Sequence, residues 1–313
     1  MPICVFDIFP DGSTKVPDDT ALTGPGSYRW WHYDLSDANL TDWATTHLPS
    51  IPSGALLQPE TRPRCDRYEN GLILNLRGIN MNAGQHADQM VSVRMWVEGD
   101  VIITVRLRKV FAIDEISQMA IAQTAPLTTA AFIEALVSHL TTRVQEEVTR
   151  ISKLTEFYEA DLEEDTTPLP KALSETRRSV IKLRRYLEPQ KQALVTLSTI
   201  DLPIVPEPDA LKLRELANRT TIAVEELDAL QERLIAVQDD HDLDVARRQA
   251  RHGYVLSIAA AIFLPLGFLT GLFGVNIGGM PGIDNPWAFA ILCLSMVGLA
   301  ALMYFALKAL RWL

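Results

Sequence analysis

Residues 254–286 read YVLSIAAAIFLPLGFLTGLFGVNIGGMPGIDNP, and no charged side chain interrupts positions 254–273. As a helix that run is about 30 Å long, enough to cross the hydrocarbon core of a bilayer. It ends in Gly274-Val275-Asn276 and a short connection containing Gly278, Gly279, Gly282, Pro281 and Pro286. A second uncharged run follows at 287–307. Two spans joined by a loop too short to be a domain form a membrane hairpin, with 274–286 as the loop and 308–313 as a basic tail. Arg247, Arg248 and Arg251 precede the first span and Lys308 and Arg311 follow the second, whereas the connecting loop has neither Lys nor Arg. The excess of positive charge at the outer ends of the hairpin predicts both termini in the cytoplasm and the Gly-Val-Asn loop outside, in a cell membrane and, in a prokaryote, the inner one.

The stretch FLPLGFLTGLFGVN, the Gly-Met-Pro shortly after it and the second span with its basic tail resemble the CorA superfamily of divalent-cation transport proteins. Magnesium members of that superfamily carry Gly-Met-Asn after a Tyr and an acidic residue after the Met-Pro. This chain instead has Phe273 before the motif, Val275 within it, and Gly278-Gly279-Met280-Pro281-Gly282 after it. That pattern is similar to the ZntB branch, associated with zinc. Farther upstream, RRSVIKLRRYLEPQKQAL at 177–194 resembles the arginine-rich helix of the same family. The resemblance implies a CorA-like fold: an α/β cytoplasmic domain, a long helical stalk and two C-terminal transmembrane helices, assembled as a funnel-shaped homopentamer. It also implies zinc as the transported ion, with proton coupling, efflux and magnesium, cobalt or nickel conduction among the family's properties.

Working upstream, residues 210–252 contain no proline or glycine. Leu213, Leu216, Thr220, Ala223, Leu227, Leu230, Leu234, Val237 and His241 alternate steps of three and four, a heptad stripe. The pattern runs into the first span without a breaker, which predicts one helix over 210–273, about 95 Å long. The stalk portion is 210–253. Its stripe can pack on helices of the same chain or on neighbouring subunits, and spacing does not choose between them.

A hairpin of two spans cannot by itself enclose an ion path, so transport requires a ring of copies. One face of the first span carries Ala250, Gly253, Ala260, Gly267 and Gly271, with Leu256 and Leu264 alongside, and is the candidate pore lining. Gly267 and Gly271 also fit a small-xxx-small helix contact. Pro265 removes one backbone hydrogen bond and is expected to kink the helix or free the Ala261 carbonyl.

At the mouth, Asn276 offers a neutral, hard carboxamide oxygen. A ring of them would hydrogen-bond the waters of a hydrated dication, with Gly274 and Val275 contributing backbone carbonyls. The alternative is a helix C-cap, a position that Asn and Gly favour. Asp284 is the single ionisable side chain between the spans; a ring of it would gather cations, and it also suits a turn in Asp-Asn-Pro. On the stalk, Asp239-Asp240-His241-Asp242-Leu243-Asp244 puts His241 beside Asp244 and Asp240 beside Asp244 on one helix face, a pairing able to share zinc. Acidic runs on helices are also ordinary solvated surface. His252 reads as an interfacial polar residue. His32, Cys65 and His86 are too far apart in sequence to define a site.

Residues 1–126 show mixed α/β signals. SYRWWHYDL at 27–35 and the runs at 72–77 and 91–97 read as strands. Glu98-Gly99-Asp100 makes a hairpin turn into a strand at 101–107. A helix is expected over 37–48, capped by Ser36 or Asp37. Residues 127–209 read as helices at 128–164 and 171–199, the second kinked at Pro189, with breaks at 165–170 and 201–208.

The formal charge of −10 argues against nucleic acid as a partner. The opening MPICVFDIFPDG lacks a basic n-region and a long apolar core, so no signal peptide is expected. Cys4, Cys65 and Cys293 form neither a disulfide framework nor a zinc knuckle. No P-loop, G-x-G-x-x-G, H-E-x-x-H or G-x-S-x-G occurs, so neither an enzyme nor an ATP-driven pump is expected, and no cofactor. The expected partners are the lipid bilayer, further copies of the chain and divalent metal ions. Outside transport, the remaining reading is a membrane-anchored sensor or scaffold.

Overall fold

The computed structural model describes residues 1–163, 171–275, 282 and 285–309. The chain divides into one unit at Met1–Val237 and a second at Gln238–Leu313, a boundary that falls inside one helix.

The first unit is built on a seven-stranded sheet. In chain order its strands are β1 (Cys4–Ile8), β2 (Thr14–Lys15), β3 (Tyr28–Asp34), β4 (Arg64–Tyr68), β5 (Gly71–Gly78), β6 (Val91–Glu98) and β7 (Val101–Arg106). Their spatial order is β2-β1-β3-β7-β6-β5-β4. All pairings are antiparallel except β3 with β7. The expected β6–β7 hairpin is present, with Glu98 paired to Val101 across Gly99-Asp100. Gly99 has φ +56°, the left-handed conformation that such a two-residue turn demands.

Both faces of the sheet are covered, which is why β3 and β5–β7 are buried almost throughout. Side chains alternate between the two faces. Trp31, Tyr33, Ile73, Trp96 and Ile103 pack with Leu40, Ala44 and Leu56 of helices α1 (Leu40–His47) and α2 (Ser50–Leu57). Trp30, Leu72, Leu74, Met95 and Ile102 meet the opposite layer of helices. That layer comprises α3 (Phe111–Ile121), α4 (Thr129–Glu163), α5 (Lys171–Thr199) and the start of α6 (Glu207–Phe273). Phe132, Ile133, Leu136, Val137 and Leu140 supply the α4 stripe at the expected spacing.

The long helix is continuous through Pro265, and α5 is continuous through Pro189. Neither proline ends its helix. Pro208 does not belong to a break as expected: it lies in the first turn of α6, where the missing N–H would have no partner in any case. The heptad stripe from Leu213 to Val237 is buried throughout. It packs on its own chain, with Val148, Ile151, Leu183 and Leu187 among its neighbours. Arg233 donates to Glu159 of α4 at 2.8 and 2.5 Å, and Arg184 of α5 pairs with Asp228.

The expected cap at Ser36 or Asp37 is not used. Helix α1 starts at Leu40, after Asn39, with no side-chain cap bond. Asp34 instead accepts from the Ser36 N–H and hydroxyl at 2.9 and 2.6 Å, and Asp37 accepts from the Asn39 N–H at 3.1 Å. Two successive Asx turns thus consume the candidate caps before the helix begins. The expected break at 165–170 lies outside the described residues.

Candidate functional site

The second unit holds the remainder of α6 and helix α7 (Ala288–Ala309), close to the expected second span. Both are long and apolar enough to cross a membrane. In the apolar window of α6 none of the residues is buried, and in that of α7 only 6 % are. A core helix of a water-soluble domain would be mostly covered. Phe263, Leu264, Phe268 and Leu294 are instead among the large exposed side chains, each costing about 1.5–3 kcal/mol if left in water.

Exposure is not uniform around the helices. On α6 the half-buried residues include Ile258, Ile262, Pro265 and Leu269; on α7 they include Leu292, Met296, Leu299 and Met303. Both sets recur every three or four residues, the spacing of one helix lying along another. At about 100° per residue, Ala260, Leu264, Gly267 and Gly271 point to the opposite side of α6. They are exposed, as are Ala250, Gly253 and Leu256. A Cβ added at Gly253, Gly267 or Gly271 would meet no atom within 4 Å. Among the described residues, the small-residue face is therefore exposed and its glycines have open space beside them.

The Ser257 and Thr270 hydroxyls in the apolar stretch of α6 are satisfied locally. The Ser257 hydroxyl donates to the Gly253 carbonyl at 2.9 Å, and Thr270 to the Leu266 and Gly267 carbonyls at 3.1 and 3.0 Å. An apolar surround demands such pairing. At the helix end the Gly274 N–H still donates to the Thr270 carbonyl at 2.9 Å. A Cβ at Gly274 would approach that same oxygen to 2.9 Å, too close for comfort, so glycine fits the end of the span best. Val275 follows and is exposed. Asn276 and Asp284 lie outside the described residues. Gly282 takes φ +93°, a conformation proper to glycine. Asn285 accepts the Trp287 N–H at 2.9 Å with Pro286 between them, an Asx turn just ahead of α7. The side-chain acceptor of that turn is Asn285, a role the sequence reading did not assign.

On the stalk, His241 and Asp244 are half-buried and Asp240 is exposed. Asp244 accepts from Arg247 at 3.0 Å. Among the described residues no group of three or more His, Cys, Asp or Glu could hold a metal ion within one chain. His252 is exposed. In the first unit, His32 is buried with Nδ1 2.8 Å from the Thr104 hydroxyl, and burial pushes its pKa down to about 4. Burial pushes the Cys65 thiol up to about 12, and His86 is exposed.

The family model described as "CorA-like Mg2+ transporter protein" matches residues 25–308. The chain belongs to the CorA-like family. It is 34% identical over 286 residues to the zinc transport protein ZntB of Pectobacterium carotovorum subsp. carotovorum (strain PC1), covering 91% of this chain and 88% of that one. Over 296 residues it is 33% identical to the divalent cation transporter CmaX of Pseudomonas aeruginosa, covering 92% and 89%. The structure of full-length CmaX superposes with a TM-score of 0.87 at 31% identity, covering 99% of this chain and 98% of that one. The CorA magnesium transporter of Methanocaldococcus jannaschii shares the fold over the full length of both chains, with a TM-score of 0.81 at 14% identity. The CorA-like architecture is thus an N-terminal α/β domain, a long helix and two C-terminal apolar helices. Two exposed apolar helices in a CorA-like chain make it a membrane protein.

Proposed function

We propose that this chain moves divalent metal cations across a membrane, with zinc as the principal cargo and without catalysing a reaction. The observation that carries the reading is the exposed face of small residues on α6, opposite the half-buried face of the same helix, leading to Gly274-Val275. The names of the relatives support it: zinc transport for the Pectobacterium protein and divalent cation transport for the Pseudomonas one.

A single hairpin cannot line a path, so the active form is a ring, and the family resemblance supports five copies. In that ring Ala250, Gly253, Leu256, Ala260, Leu264, Gly267 and Gly271 line the conduit. Gly274 and Val275 present carbonyl oxygens at its outer end, and Asn276 supplies a ring of carboxamides to waters of the hydrated ion. A ring of Asp284 concentrates cations outside by screened attraction. Both termini are cytoplasmic, following the basic residues that flank the spans. Residues 1–126, 127–209 and the stalk at 210–253 then lie inside the cell. A solved ZntB cytoplasmic domain from Vibrio parahaemolyticus, matching 79% of this chain with a TM-score of 0.69, supports that placement. Asp240, His241 and Asp244 are a weaker inner site, since Asp244 would have to leave Arg247 to bind metal.

No Asp, Glu or His occurs in either span, so a proton relay through the bilayer lacks its usual carriers. A dication entering down 100 mV gains about 4.6 kcal/mol, from roughly 2.3 per charge. Inward movement driven by membrane potential follows. A second reading, magnesium conduction, is favoured by the description of the family model and by a mouth of oxygen donors without Cys or His. Metal-resolved uptake into proteoliposomes tests both: zinc should enter ahead of cadmium, nickel, cobalt and magnesium. Magnesium entering faster than zinc would transfer the assignment to the second reading, and no flux of any dication would leave an anchored scaffold.

A further inference from the structure

The Met1–Val237 unit contains a cleft of about 1090 Å³ between the loop at 58–62, the ends of β6 and β7, and helix α5. Its walls carry Arg62, Arg64, Arg77, Arg108, Lys182 and Arg185, against the carboxylates Glu60 and Asp88 alone. That balance runs opposite to the chain's formal charge of −10.

Fixed charge stands behind the wall. Arg77 and Arg94, on neighbouring strands, hold the loop through its backbone. Arg94 donates to the Gln58 and Pro59 carbonyls at 2.9 Å each. Arg77 donates to Thr61 and Met90 carbonyls at 2.8 and 3.0 Å. Neither guanidinium meets a carboxylate in these bonds, and Arg77 Nε is buried without a partner. Burial lowers the pKa of both, Arg94 down to about 10, with Arg77 adding to the effect. Tyr186 covers Arg77, its ring centre 4.0 Å from the guanidinium carbon.

Loop pinning accounts for Arg77 and Arg94. It does not account for Arg62, Arg108 and Arg185, which are exposed and have no carboxylate partner among the described residues. Like charges gathered on one cleft repel and raise the local positive potential. Asp88 offsets only part of it: Oδ2 receives Lys182 and Ser179 at 3.0 and 2.9 Å. Arginine is suited to forked, charge-assisted bonds with phosphate oxygens. A cavity of this volume accommodates a molecule of metabolite size.

We propose that this cleft binds a small phosphate-bearing polyanion, with Arg62, Arg108 and Arg185 as the groups that take its oxygens. The site is built from residues of the Met1–Val237 unit alone, and its occupation can be read without measuring transport.

Pyrophosphate is the probe, titrated calorimetrically into the full-length protein in detergent at fixed ionic strength. The expected result is saturable binding that equimolar chloride does not displace. Arg62→Gln and Arg185→Gln should each weaken it about tenfold, from loss of a charge-assisted bond. Arg178→Gln, exposed on the same helix but outside the cleft, should leave it unchanged. Absence of saturable binding, equal competition by chloride, or equal weakening by Arg178→Gln would overturn the proposal.

Discussion

Replacing Gly267 by Leu separates the two roles open to the small-residue face of α6. An added Cβ there has no atom within 4 Å among the described residues, so the substitution starts into open space. Within a helix interior leucine is favoured over glycine by roughly 0.8 kcal/mol or less, so the span should not be weakened. If the face lines a conduit, every copy in the ring introduces an isobutyl group into it. Zinc uptake should then fall at least tenfold, about 1.4 kcal/mol in barrier height, with the oligomer intact. If the face is a helix contact, overpacking of about 1–3 kcal/mol per site should instead loosen the oligomer. Gly298 of α7 is equally free of neighbours and lies opposite the half-buried face of its own helix. Gly298→Leu should therefore leave uptake unchanged. The assays are zinc flux into proteoliposomes and native mass of the detergent-solubilised protein. Wild-type uptake and wild-type mass in Gly267→Leu would refute the reasoning.

Native mass of the wild type should correspond to a homopentamer; a conducting monomer or dimer would contradict the ring. Asn276→Ala should abolish uptake without altering that mass, and unchanged flux would return Asn276 to a helix cap. Asp284→Asn should weaken uptake mainly at low metal concentration, with the difference from wild type vanishing at high salt. Asp7→Asn removes the bidentate partner of fully buried Arg29, which it meets at 2.6 and 2.9 Å, and should destabilise the first unit by about 3–5 kcal/mol in denaturant unfolding. For His32 the folded pKa of about 4 lies below the ordinary value near 6.5, so the unfolded chain takes up the proton first as pH falls. Its share of stability is present above pH 6.5 and is lost progressively towards pH 4, about 3 kcal/mol at most. His32→Gln should flatten that part of the pH–stability curve.

Much of this arrangement was legible because period and length carry it. The heptad stripe of α6 and the spans need only spacing and hydropathy, and α4, α5, β3 and β5–β7 follow from apolar runs. Other elements hide behind pairings distant in sequence. Strand β1 reads poorly because Asp7 interrupts it, and Asp7 is tolerated only because Arg29 meets it from β3. Strand β4, RCDRY, is an edge strand with Cys65 as its one buried residue. Helix α2, SIPSGALL, contains proline and glycine, and Pro52 is harmless within its first turn. The α6 stripe had two available partners in the sequence, and burial against α4 and α5 settles the portion up to Val237. At the site, the small-residue face and Gly274 were legible from composition. The turn formed by the Asn285 side chain was not, because Asp284, Asn285 and Pro286 each suit a turn. The cationic cleft is not legible in the sequence because its arginines come from β4, β5, α5 and two loops.

Metal entry along the electrical gradient is tested most directly in zinc-exposed proteoliposomes under two conditions. In the first, valinomycin and a potassium gradient set an inside-negative potential with no pH difference. Zinc should accumulate uphill, approaching a thousandfold or more at about 100 mV. In the second, equal potassium clamps the potential at zero and only a pH gradient is imposed. Rates there should vary with pH while zinc does no more than equilibrate. Uphill zinc accumulation at zero potential would show proton coupling and contradict the account.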